Sequence, residues 1–199
     1  MNLHPATDTA NPGSRQSAAL AALVLWALVL LALGALVYGL DRPAGSAWAL
    51  PSGWQLGSGA AWFGAVGGWL PSFVHAFGFS VLTAWVLTDR ELPPSRWGVW
   101  VACGGWALVE TLFELGQHRA LSPWLAGTLG QAFDHSAWAQ QLGRYFTRGV
   151  FDPADLVAAW TGCALAAMAL LWARAAAPTA APTAERIAAP GAGPGRPNP

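Results

Sequence analysis

Four long apolar runs, at residues 17–40, 71–88, 97–116 and 155–173, constrain this chain more than any other feature. The first run, Ser17 to Leu40, is long enough as an α-helix to reach about 34 Å, which crosses the hydrocarbon of a bilayer with some tilt. It also exceeds the short apolar core of a secretory signal. Inside a bilayer every backbone N–H and C=O must be paired within the segment, so a run of this kind folds as a helix. Composition agrees, because 54% of the 199 residues are hydrophobic and only 10% are charged, too few to cover a soluble globule of this size. The expectation is an all-α polytopic membrane protein, a four-helix transmembrane bundle.

The breaks between the runs set the organisation. Asp41, Arg42 and Pro43 end the first. Residues 44–70 carry Trp48, Trp54, Trp62 and Trp69 among many glycines, which suits an interfacial loop and a short dipping segment. Pro71 fits the first turn of the second span, where its missing N–H leaves no bond unmade. Asp89, Arg90, Glu91 and Pro93-Pro94 form a tight polar turn, which forces the second and third spans to run antiparallel. In the long third loop, from Gln117 to Phe151, Leu121, Leu125, Leu129 and Phe133, then Trp138, Leu142 and Tyr145, recur at helical spacing and predict two interfacial helices. The domain organisation is thus a disordered tail over 1–16, a four-span membrane domain over 17–173, and a disordered Ala/Pro/Gly-rich tail over 174–199.

Charge excludes some functions and weakly orients the chain. All ten basic residues are Arg and ten acidic residues balance them, so nothing invites a nucleic-acid partner. Arg15, Arg90, Arg96 and Arg174 flank one side of the spans and Arg42, Arg119, Arg144 and Arg148 the other, a tie that is broken because two of the latter lie deep in the long loop. The positive-inside bias then favours both termini inside and the polar site outside. Cys103 and Cys163 each sit inside an apolar run, where a cysteine acts as a small buried hydrophobe, and a disulfide would need helices in register.

Helices that alternate in direction put the start of the second span, the end of the third and the start of the fourth at one face. His75, then Glu110, Glu114, Gln117 and Arg119, then Arg148, Asp152 and Asp155 all belong to those ends. Glu110, Glu114 and Gln117 share one stripe of the third helix. Two acids on such a stripe are expensive in hydrocarbon, so they face the interior of the bundle, where they either fix packing or do chemistry. An imidazole beside carboxylates serves as base or proton carrier, which makes His75, Glu114 and Asp155 the candidate catalytic set. Glu110, Gln117, Arg119 and Arg148 are candidates for substrate binding, the arginines as bidentate partners of a phosphate or carboxylate. The adjacent Asp134, His135 and Ser136 do not make a triad, since neighbouring side chains point apart, and Ser136 reads as a helix N-cap. A metal site from His75, Glu114, His118 and Asp155 lacks the paired His/Cys spacing such sites use, and no metal or cofactor is assigned.

The order of these pieces resembles the VanZ-like family of small bacterial membrane proteins: His75 in an aromatic setting, Glu114-x-x-Gln117 ending the next span, and Arg148 seven residues before Asp155, with Gly162 in the last span. The resemblance covers residues 70–172. Ala159 stands where the family pattern usually has Asn, and the connection from Gln117 to Arg148 is longer than usual. The resemblance implies an integral protein of the cell envelope, in some members linked to antibiotic resistance through lowered sensitivity to glycopeptides such as teicoplanin. Two readings stay open. One is a protein that binds or modifies an amphiphilic partner, a membrane lipid or lipid-linked envelope precursor, at an outward polar cluster. The other is a non-catalytic scaffold whose buried polar residues specify helix packing. Association into a homo-oligomer is compatible with both.

Overall fold

The computed structural model describes residues 12–41, 61–88, 94–134 and 136–175. Six helices and no strand occupy them: α1 Pro12–Leu40, α2 Val66–Val86, α3 Arg96–Gly116, α4 Ser122–Ala132, α5 Ala137–Arg148 and α6 Pro153–Ala175. Four of these, α1 from Ser17 onward, α2, α3 and α6, are long and apolar enough to cross a membrane. The chain therefore reads as a multi-pass membrane protein. The tail segments 1–11 and 176–199, the Trp48 and Trp54 stretch, the turn at 89–93 and His135 lie outside the described residues.

Helix α1 begins at Pro12, earlier than the apolar run implies, and residues 12–16 are helical. A larger difference concerns α2. It starts at Val66, so Pro71 lies inside the helix and not in its first turn. The cause is upstream. The Asp41 carboxylate, at the end of α1, accepts the backbone N–H groups of Trp62 at 2.8 Å and Phe63 at 3.0 Å. That anchors a turn which feeds the helix, with Gly64 supplying a positive φ of 53°. His75 consequently sits near the middle of α2, deeper than a start at Pro71 would place it. Ser95 caps α3 conventionally, its hydroxyl accepting from the Gly98 N–H at 2.9 Å. Ser136 holds the N-cap position of α5 but makes no capping bond, and its buried hydroxyl has no partner among the described residues.

Helix α2 packs against α1, α3 and α6, and α3 also packs against α6. Small residues set the closest approaches. A Cβ on Gly162 of α6 would stand 2.5 Å from the Phe73 carbonyl oxygen and 3.1 Å from the Phe77 nitrogen, both on the α2 backbone. On α2, a Cβ at Gly78 would meet the Leu31 side chain at 2.6 Å. The core between them is built from Val81, Val99, Leu170 and buried alanines. Within it Ser80 of α2 donates to the Cys163 sulfur at 3.6 Å and also contacts Cys103, and both thiols are free and buried. The large apolar residues left exposed on the long helices, such as Leu25, Trp100, Leu112 and Met168, are what hydrocarbon would cover.

The ends of the helices alternate. Asp41 ties the end of α1 to the approach of α2, the Trp106 indole donates to Thr83 at 2.8 Å across α3 and α2, and Arg174 near the end of α6 donates to the Pro94 carbonyl just before α3 at 2.9 Å. The end of α3, the start of α6 and the end of α1 therefore share one end of the molecule. Helices α4 and α5 pack on each other there. Phe113 and Phe146 are 5.6 Å apart between ring centroids, and Phe146 fills the space beside Gly116.

Candidate functional site

The acids come together at that end. Glu114 is 8% exposed, and its Oε2 accepts the backbone N–H of Asp152 at 3.2 Å. Asp152 precedes α6 and accepts the Ala154 N–H at 2.8 Å through its own carboxylate. Asp155, in the first turn of α6, accepts from the Ser72 hydroxyl of α2 at 3.0 Å. Glu114, Asp152 and Asp155 thus surround the amino end of one helix, where unpaired N–H groups and the helix dipole favour negative charge. Glu110, one turn deeper on α3 and half-buried, lies within electrostatic reach of Glu114 and Asp155.

Two tyrosines complete the cluster, and they are the only two in the chain. The Gln117 side chain donates to the Tyr145 hydroxyl at 2.8 Å, which leaves the phenolic proton of Tyr145 to be donated elsewhere. Burial pushes the Tyr145 phenol well above its ordinary pKa, and the Tyr38 hydroxyl and the carboxylates of Glu114, Glu110 and Asp155 push it the same way. Tyr145 therefore stays protonated and stays a donor. Tyr38, near the end of α1, stacks on the His75 ring with centroids 5.8 Å apart and planes 10° apart. Phe79 is tilted against His75 with centroids 5.8 Å apart, and Gly34 leaves room for the Nε2 edge of His75. His75 thus lies against Tyr38, whereas Ser72, one turn earlier on α2, meets Asp155 directly.

Of the residues expected at the site, His75, Glu110, Glu114, Gln117 and Asp155 are gathered around Tyr38 and Tyr145. Arg119 and Arg148 are exposed. His118 is also exposed: its Nδ1 accepts the Ala120 N–H at 3.3 Å and its ring lies 5.9 Å from Phe151. No group of three or more His, Cys, Asp or Glu among the described residues is placed to hold a metal ion.

Sequence reasoning passed over Tyr38, Ser72, Asp41 and the hydroxyl of Tyr145. A signal was available for the first and third: the alternation that brings the start of α2 and the end of α3 together also brings the end of α1. The arrangement can accept hydrogen bonds from hydroxyl or ammonium groups at its carboxylates, donate one from Tyr145, and offer aromatic faces from Tyr38 and Phe113. Comparison with protein-family models, curated proteins and solved structures gives no match.

Proposed function

We propose that this is a cell-envelope membrane protein that binds or modifies an amphiphilic envelope molecule, a lipid or a lipid-linked glycan, at the acid and tyrosine cluster. The observation that carries the reading is the convergence of Glu110, Glu114, Asp155, Tyr38 and Tyr145 from four helices onto one end of a membrane protein. Acids that serve packing alone are costly at such a depth. Four spans form the bundle in this reading, α4 and α5 lie in the interface, and the termini are cytoplasmic in the inner membrane of a bacterium, so the cluster faces outward. Glycan hydroxyls or an amine of the head group suit the carboxylates, while the exposed Arg119 and Arg148 suit a phosphate. The VanZ-like order of His75, Glu114, Gln117, Asp155 and Gly162 is compatible with this envelope role.

The test is binding of a polyprenyl-phosphate-linked disaccharide to the reconstituted full chain, measured against the same polyprenyl phosphate without sugar. Preferential binding of the glycan, lost in Glu114→Gln and reduced less in Glu110→Gln, supports the reading. Equal binding of both lipids, or a Glu114→Gln variant that binds like the parent, counts against it.

A non-catalytic scaffold is the second reading, and a specific observation favours it. The bonds Glu114 to Asp152, Ser72 to Asp155 and Gln117 to Tyr145 each join different helices or a helix and its neighbour's entry, as packing determinants do.

A further inference from the structure

Helices α4 and α5 enclose an open groove of about 320 Å³, separate from the acid cluster. Its walls are unusually bare. Gly127 and Gly130 of α4 and Gly143 of α5 line it, with Gln140, Arg144 and Thr147 as its polar groups. The glycines differ in what they do. At Gly143 a Cβ would come within 3.3 Å of Ala126, so that glycine lets the two helices touch. At Gly127 a Cβ would meet nothing within 4 Å. Packing does not require a glycine there, and a side chain would only fill the groove.

The one charged side chain in the groove's lining is Arg144. Between residues 119 and 150 the sequence has three arginines, Arg119, Arg144 and Arg148, against one acidic residue, Asp134. Helix α4 carries no ionisable side chain, and the charged side chains of α5 are Arg144 and Arg148, one turn apart on the same face. The guanidinium fork is the side chain best shaped to hold a phosphate, and it stays charged at any working pH. Position supplies the rest. The hairpin is held at the end of α3 by Phe146 against Gly116 and by Tyr145 with Gln117, outside the four long apolar helices. For a protein that crosses a bilayer, that is the level of the head groups. Trp124 and Trp138, exposed on the same two helices, are the side chains that settle there.

We propose that the α4–α5 groove binds the phosphate head group of an anionic phospholipid, with Arg144 as its principal ligand. This holds whether or not the acid cluster binds a glycan. The Arg144 guanidinium favours a lipid of net negative charge over a zwitterionic one, and the bare glycine wall lets the phosphate approach it closely.

The experiment uses the full chain in mixed micelles containing equal amounts of phosphatidylglycerol and phosphatidylcholine, with retained lipid read by native mass spectrometry. The parent should retain phosphatidylglycerol in preference. Arg144→Gln should weaken that retention about fivefold. Gly127→Leu, which leaves every charge in place and fills the groove, should weaken it as well, while Arg96→Gln, at the start of α3 and the other end of the molecule, should leave it unchanged. Equal retention of the two lipids by the parent would overturn the proposal, as would parental retention in both groove variants. A loss in Arg96→Gln as large as in Arg144→Gln would reduce the effect to overall charge. Displacement of the lipid by millimolar inorganic phosphate would identify a soluble-anion site instead.

Discussion

Glu114, in the last turn of α3, accepts a hydrogen bond from the backbone N–H of Asp152, the residue that introduces α6. A buried carboxylate therefore stands at the amino end of the last long helix, where the helix field favours its charge and an otherwise unpaired N–H becomes satisfied. One residue does two jobs here. It helps fix where α6 begins relative to α3, and it places a negative group beside Tyr145 and Asp155.

The structural job predicts an asymmetry between two substitutions. Glu114→Gln keeps an oxygen that can accept the Asp152 N–H, so the unfolding free energy in detergent should fall by less than about 1 kcal/mol. Glu114→Ala removes the acceptor and should cost about 2 kcal/mol, the range of a hydrogen bond to a charged group. Denaturation by SDS, followed by circular dichroism, measures both. Equal stabilities for the two variants would mean that the bond to Asp152 contributes little.

The close contact of α6 with α2 predicts a second contrast. Gly162→Ala drives a methyl towards the Phe73 carbonyl and the Phe77 nitrogen, backbone atoms that cannot rotate away, and should destabilise by about 1–3 kcal/mol. Gly104→Ala, on α3, adds its methyl where nothing lies within 4 Å. It should be neutral or stabilising by about 0.5 kcal/mol, because alanine loses less backbone entropy in a helix. The same SDS titration decides it, and a harmless Gly162→Ala would mean that α2 and α6 can part freely.

Much of this was legible in the sequence, and the failures have physical causes. Apolar length alone located the four long helices, and period 3.6 located α4 and α5, because both signals come from the residues within each element. The start of α2 was not local: it depends on Asp41, twenty-one residues before Trp62, reaching across to its amide. Pro71 read alone points to a first turn, and only the turn anchored by Asp41 ahead of α2 makes it an interior residue. The acids were found because charge in an apolar run stands out. Tyr38 and Ser72 were not, since a tyrosine or serine in such a run is ordinary until its partner is known. His75 was expected one turn into its helix and lies near the middle of α2, as a direct consequence of the missed start of α2.

The pair Gln117 and Tyr145 carries a prediction about how the α4–α5 hairpin is held. Gln117→Ala and Tyr145→Phe each remove one side of the same hydrogen bond, so each alone should cost about 1 kcal/mol and the double variant little more than either. Coupling near zero in this cycle would mean that Phe146 against Gly116 holds the hairpin without help from the polar pair.

The alternation of the long helices leads to the broadest prediction. Asp41, Trp62, His118 and Asp152 are brought to one end by the contacts of Asp41 with Trp62 and of Glu114 with Asp152, whereas Arg96 and Arg174 lie at the other, where Arg174 holds the Pro94 carbonyl. Single cysteines at 62, 118 and 152, introduced into a chain with Cys103 and Cys163 changed to Ala, should therefore react with an impermeant maleimide from one side of sealed vesicles. Cysteines at 96 and 174 should react only from the opposite side. The native thiols should resist the same reagent from both sides, because each is buried against Ser80 between α2, α3 and α6. Labelling of positions 96 and 118 from one side would refute the crossing of α3, and labelling of 152 and 174 from one side would refute that of α6.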